Sequence, residues 1–149
     1  MKVKFNLNGE DVEWRVEPND VLLDVLRREG FYGSKRGCST GDCGTCTVLV
    51  NGEAQNSCLV FAASVEDQIV TTIEGVGSVD APHPIQRAYV DAGATQCGYC
   101  TPGLVVSTVA LLKEKPKPTD AEIREALDGN LCRCTGYTKI FDAVKAAAR

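Results

Sequence analysis

The sequence predicts an α+β chain of two units: a small mixed sheet of the β-grasp kind, residues 1–73, and a bundle of four short helices, residues 83–149. Three observations predict it. Apolar residues in the first half alternate in the two-residue period of half-buried strands. Those in the second half recur at helical spacing, behind helix-starting prolines and threonines. The stretch between them, residues 74–82 (EGVGSVDAP), is small and turn-prone, the composition of a linker.

In order along the chain, Lys2–Leu7 and Val12–Val16 each read as a strand, with a strong hairpin signal at Asn8-Gly9. Asp20 is placed to cap a helix over Val21–Arg28, whose Val21, Leu22, Val25 and Leu26 form an apolar face and which Gly30 ends. Thr45–Val50 is β-rich and stops at Asn51-Gly52; two further apolar runs, Leu59–Ala62 and Ile69–Ile73, complete the sheet. A hairpin, then a helix, then more strands is the order of a β-grasp fold. Helices follow over His83–Ala92, from Pro102 to about Lys113, from Thr119 to about Leu127, and over Thr138–Ala148. The KPKP run at Lys115–Pro118 breaks the second of these, and Thr119 with Glu122 makes a capping box for the third.

The chain has 149 residues, 44% hydrophobic and 24% charged, which suits a buried core in one ordinary domain or two small ones. A net charge of −4 argues against nucleic acid as a partner, since such proteins carry a basic excess or stripe. The longest uncharged apolar stretch, Pro102–Leu112, is too short to insert across a membrane. The N-terminus mixes charged with apolar residues and does not read as a signal peptide, so a cytoplasmic location is expected. In a reducing compartment, clustered cysteines are metal ligands rather than disulfides. The single histidine, His83, excludes a two-Cys, two-His zinc finger and a Rieske centre, which need two each.

The cysteines carry the chemistry. Cys38, Cys43 and Cys46 follow the C-x4-C-x2-C spacing of plant-type [2Fe-2S] proteins, with Cys58 as the distant fourth ligand. A cluster on four thiolates is net negative, and backbone N–H groups aimed at the sulfurs offset that charge. Loops that do so need glycine, here Gly33, Gly37, Gly41 and Gly44; Lys35 and Arg36 add positive charge nearby. The second quartet is Cys97-x2-Cys100 and Cys132-x1-Cys134, each pair just ahead of a helix whose N-terminus favours thiolates. Its C-x-C spacing differs from common zinc ribbons, yet zinc also accepts four thiolates. Spacing alone leaves iron–sulfur and zinc both open.

The runs GCSTGDCGTC, QCGYCTPG and GNLCRCTGY, in this order, resemble the small iron–sulfur subunit of the molybdenum hydroxylases. This is the xanthine oxidase family, with its carbon monoxide, nicotinate and aldehyde-oxidising relatives. The resemblance covers essentially the whole chain. It implies a plant-ferredoxin-like domain followed by a four-helix domain, with a [2Fe-2S] cluster at both quartets. By motif position, Cys38, Cys43, Cys46 and Cys58 hold the cluster distal to molybdenum, and Cys97, Cys100, Cys132 and Cys134 the proximal one. Gln96 and Cys134 match the family's glutamine and last cysteine, which approach the pterin of the molybdenum cofactor in another chain.

The implied function is electron transfer within an oxidoreductase, with no catalytic residue for the organic substrate in this chain. Single electrons pass between a molybdenum–pterin site and flavin or another acceptor. The resemblance further implies a large molybdopterin-binding subunit, an FAD-binding medium subunit, and a dimer of heterotrimers. Many members carry glycine after the first cysteine, whereas this chain has Ser39-Thr40, which bears only on local loop conformation.

Two other classes compete on the residues alone. A zinc-stabilised binding module would be colourless and redox-inactive. A free-standing ferredoxin would leave the second quartet and Gln96 without purpose. Among the remaining features, His83 between two prolines reads as a helix-start or interface residue, Trp14 as packing, and Gly75–Gly77 as linker for want of a dinucleotide fingerprint. Lys35, Arg36 and Arg133 read equally as solvated charges or as groups that offset a cluster's charge. Without the resemblance, Gln96 is an ordinary helix-edge glutamine.

Overall fold

The computed structural model describes residues 1–148. Strands β1 (Lys2–Leu7) and β2 (Glu10–Arg15) form the expected antiparallel hairpin about Asn8-Gly9. Val3, Phe5 and Leu7 of β1 turn inward and pack with Leu22, Val25 and Leu26 of α1 (Leu22–Arg28). Trp14 lies edge-on to Phe5 with ring centroids 5.1 Å apart, a packing role. Asp20 does not cap α1. Its carboxylate accepts from the Glu17 N–H and pairs with Arg28. The N-cap position belongs to Val21, and the Leu22 and Leu23 N–H groups donate to the carbonyls of Val60 and Ser57, at 2.7 and 3.0 Å. Because α1 starts beneath the 57–60 segment, main-chain acceptors replace the side-chain cap.

Strands β3 (Thr47–Val50), β4 (Glu53–Asn56) and β5 (Ile69–Thr71) complete a five-stranded mixed sheet in the order β2-β1-β5-β3-β4, with β5 parallel to β1. This is the β-grasp arrangement, with the sheet holding α1. The sequence reading does not include β4, because EAQN has no apolar alternation; the Asn51-Gly52 turn folds it back onto β3 in register Val50↔Glu53. Conversely, the run Leu59–Ala62 is not a strand. It makes one bridge, Phe61 to Val21, and enters a 3-10 turn at Ala62–Val65. Leu59 and Phe61 are more than half exposed, so apolarity here does not mark a core position.

The 74–82 stretch, expected as a linker, opens on a docked helical turn, α2 (Ile73–Val76). Glu74 accepts from the Gly33 N–H and from the Thr72 hydroxyl, both at 2.7 Å. Ile73 and Val76 pack onto the second core. Beyond it lie α3 (Pro84–Asp91), α4 (Thr101–Glu114), α5 (Asp120–Leu127) and α6 (Thr138–Ala147), the four expected helices. His83 caps α3: its Nδ1 accepts from the Ile85 N–H at 3.2 Å. Thr119 and Glu122 form the expected capping box. A second core of Ile85, Tyr89, Leu104, Ile123, Leu127 and Ile140 sits among these helices. Since α4 also packs across β3, all four residues of that strand are buried. No helix among the described residues is long and apolar enough to cross a membrane.

Candidate metal centres

Three cysteines of the first quartet lie on the loop between α1 and β3, and Cys58 follows β4. Their thiols come in neighbouring pairs, Cys38 with Cys43 and Cys46 with Cys58. Cys38 and Cys43 are half-buried, whereas Cys46 and Cys58 are buried against Leu23. The Thr40 N–H lies 3.4 Å from the Cys38 sulfur. That N–H, the Thr40 hydroxyl and the Cys43 N–H together hold the Cys38 thiol down to about 5. Burial, reinforced by the Cys46 thiol, pushes Cys58 up to about 11 although the Gly41 N–H opposes it. A Cβ on Gly37 would stand 2.8 Å from both the Cys43 sulfur and the Thr45 hydroxyl, so only glycine lets the backbone come this close. Lys35 and Arg36 do not face the sulfurs. Lys35 donates to the Tyr32 carbonyl at 2.8 Å, and Arg36 pairs with Asp24 and Ser39. Charge at this loop is therefore offset mainly by backbone N–H groups. Ser39 holds a left-handed φ of 74°, the conformation glycine would adopt without strain.

The second quartet is built on helix starts. Cys100 stands at the N-cap of α4, and Cys132 and Cys134 precede α6. The sulfurs of Cys97 and Cys134 are 3.6 Å apart and exposed; Cys100 and Cys132 form the deeper pair. Burial pushes Cys100 up to about 12. Burial acts to raise Cys132, but the Thr135 hydroxyl at 3.1 Å, its N–H at 3.4 Å, the Cys134 N–H and the Cys100 thiol together outweigh it, and the thiol sits below its ordinary value. The Cys97 thiol raises its neighbour Cys134. The Tyr137 hydroxyl accepts from the Cys132 N–H at 2.8 Å and fixes the turn between the last two cysteines and α6. A cavity of about 490 Å³ opens here, bounded by Cys97, Cys134 and the exposed Arg133.

The two cysteine loops touch. The Leu131 N–H donates to the Cys43 carbonyl at 2.9 Å, and the Tyr99 hydroxyl to the Arg36 carbonyl at 2.7 Å. The Asn130 carboxamide donates to the Gly44 carbonyl at 3.0 Å. Gly44 has a φ of 68°, and a Cβ there would run into the Gly129 carbonyl. Sequence reasoning singled out neither Asn130, Thr135 nor Tyr137, although all three belong to or adjoin GNLCRCTGY.

Among the described residues, no three His, Cys, Asp or Glu side chains converge on a single ion position. The thiols instead stand as two pairs per quartet, with N–H groups directed at them. Two thiolates for each of two irons is the donor set of a binuclear iron–sulfur centre. Residues 5–70 match the family model described as a 2Fe-2S iron-sulfur cluster binding domain, and residues 72–145 the one described as a [2Fe-2S] binding domain. The chain is 47% identical to the nicotinate dehydrogenase small FeS subunit of Eubacterium barkeri, over 97% of this chain and 93% of that one.

The chain belongs to the iron–sulfur subunits of the molybdenum hydroxylases.

Within this family it is 48% identical to the isoquinoline 1-oxidoreductase subunit alpha of Brevundimonas diminuta, over 99% of this chain and 97% of the relative. The crystal structure of quinoline 2-oxidoreductase from Pseudomonas putida 86 superposes with a TM-score of 0.95 at 39% identity, covering 99% of this chain and 93% of that chain. Membership gives each half a [2Fe-2S] centre and places the chain in an oxidoreductase as its electron-transfer part. The zinc-module alternative falls with it.

Proposed function

We propose that the chain relays single electrons between the molybdenum–pterin site of a large partner subunit and a flavin or other acceptor. Residues 1–73 carry the centre distal to molybdenum on Cys38, Cys43, Cys46 and Cys58. Residues 83–149, reached through 74–82, carry the proximal one on Cys97, Cys100, Cys132 and Cys134. The observation that carries this reading is the direct contact of the two cysteine loops, Leu131 N–H to Cys43 carbonyl at 2.9 Å. When bound, each centre takes up and returns one electron.

The chain's own residues govern how easily that happens. Thr40 and Thr135 direct N–H groups at ligand sulfurs and favour added negative charge. Burial of Cys46, Cys58 and Cys100 keeps water from the inner side of each site. At the outer side, Gln96 is exposed beside Cys97, whose sulfur lies 3.6 Å from that of Cys134. Gln96 and Cys134 thus share the rim that a molybdenum-bearing subunit would cover. A carboxamide offers both donor and acceptor to a pterin edge. An FAD-binding medium subunit, a dimer of heterotrimers and a cytoplasmic setting complete the proposal.

Metal and sulfide analysis of anaerobically purified protein, with EPR after dithionite reduction, tests it. About four iron and about four acid-labile sulfide per chain, with two overlapping spin-half signals, are expected. Cys58→Ser and Cys132→Ser should each remove one signal and leave the other. Stoichiometric zinc without labile sulfide, even after attempted reconstitution, would overturn the reading.

A further inference from the structure

We infer that Asn130 is the positioning residue for electron exchange between the two centres, because its carboxamide fixes the contact between the two cysteine loops. The inference rests on the reading of both quartets as redox centres and names the side chain that sets their mutual placement. Asn130 lies two residues before Cys132 and is 5% exposed. Its amide nitrogen reaches across the junction to the Gly44 carbonyl at 3.0 Å and the Thr47 hydroxyl at 3.3 Å. Its amide oxygen accepts from Ser107 of α4 at 2.8 Å, and its backbone N–H donates to the Leu127 carbonyl at 2.9 Å. One side chain therefore joins the loop of the sheet half, the central helix of the other half, and the segment that carries Cys132.

The next residue makes the contact that matters. The Leu131 N–H donates to the carbonyl of Cys43, itself a candidate ligand, and Leu131 is bonded directly to Cys132. Because Leu131 follows Asn130 directly, a shift of Asn130 moves that N–H. Helix α5 has already ended at Leu127. No other side-chain type meets the demand at this size. Aspartate would set an oxygen against the Gly44 carbonyl and bury a charge; leucine would cut the link from this segment to Gly44, whose carbonyl keeps only Thr47, and leave the Ser107 hydroxyl without its partner.

The test uses the assembled, metal-loaded complex with Asn130→Asp, Asn130→Ala and Ser107→Ala. Thr119→Ala serves as comparison, since Thr119 caps α5 in the same half and its hydroxyl bonds only to Glu122, not to either cysteine loop. Two quantities are read beside iron content: electron redistribution between the centres after rapid one-electron reduction, followed by freeze-quench EPR, and hydrogen exchange of the peptide containing the Leu131 amide. The Asn130 variants should slow redistribution several-fold and speed Leu131 exchange, with Ser107→Ala between them and wild type. Thr119→Ala should lower the melting temperature and move neither quantity. If the Asn130 variants do not load, Ser107→Ala decides alone. Wild-type redistribution and exchange in variants that hold both centres would overturn the inference and leave the proposed function intact. Loss of the two redox signals in the wild-type complex would instead overturn the function.

Discussion

Cys100 is buried and its neighbour Cys132 half-buried, and their thiols are driven in opposite directions, by burial and the Cys132 thiol at Cys100 and by hydrogen bonds led by Thr135 at Cys132. Thr135 offers both hydroxyl and N–H to Cys132, and nothing equivalent outweighs burial at Cys100. Hydrogen bonds to a ligand sulfur stabilise the reduced, more negative centre and so raise its potential. Thr135→Val, which keeps the N–H and removes the hydroxyl, should lower the midpoint potential of the helical centre and leave that of the sheet centre unchanged in an EPR-monitored redox titration. Ser39 offers a second test. Its φ of 74° costs an L-residue about 1–2 kcal/mol, which glycine avoids at an entropic cost of similar size. Ser39→Gly should leave the melting temperature nearly unchanged, whereas the β-branched Ser39→Val should depress it and weaken iron retention. At this scale the cysteines stood out as candidate ligands because short spacings group them along the chain, while their assignment to clusters came from the family resemblance. Thr135 and Tyr137 did not stand out, because their work depends on a turn that only the folded backbone defines.

Helix α5 is the element whose stability the sequence described most completely. Thr119 accepts from the Glu122 N–H, and Glu122 accepts from the Thr119 N–H at 2.8 Å. Thr119→Ala should destabilise the chain by about 1 kcal/mol, read from denaturant midpoints. The Thr119 N–H first, then Lys115 and the Thr119 hydroxyl, hold the Glu122 carboxyl down to about 2 from an ordinary 4.5. A carboxyl held low in the folded state stabilises it fully above the ordinary value, and that stabilisation drains away as pH falls from 4.5 through about 2. Glu122→Gln should therefore melt below wild type at neutral pH, with the gap closing across that window in thermal scans. Other elements were legible only in part. Strand β4 carries no pattern of its own and exists because β3 and a tight turn impose it. Asp20 carries the right side chain for a cap, but the 57–60 segment supplies the acceptors first. Local signals were sufficient where an element faces solvent, as α5 does, and insufficient where another segment arrives from far along the chain.

For the whole molecule, two separate cores meet at a seam where backbone comes very close to backbone. A Cβ on Gly103 of α4 would run into the Gly44 carbonyl, and Asn130 lies against both glycines. Gly→Ala inside a helix ordinarily gains about 1 kcal/mol. Gly103→Ala should do the reverse, costing about 1–3 kcal/mol through overpacking, and should loosen iron from both centres in chelator-challenge experiments. The change from strands to helices was legible from the change of period near residue 74, and the resemblance to a known family implied two centres. The seam was not legible, because close approach between Gly44 and Gly103 leaves no trace in either half read alone.

That seam also bears on descent and on engineering. Two glycines some sixty positions apart in the chain act as one lock, and an asparagine is cut to fit it. A hybrid made by recombining the sheet half of one relative with the helical half of another inherits a working junction only if all three come through together. The pair of halves, rather than either cysteine motif, is the piece that can be transplanted.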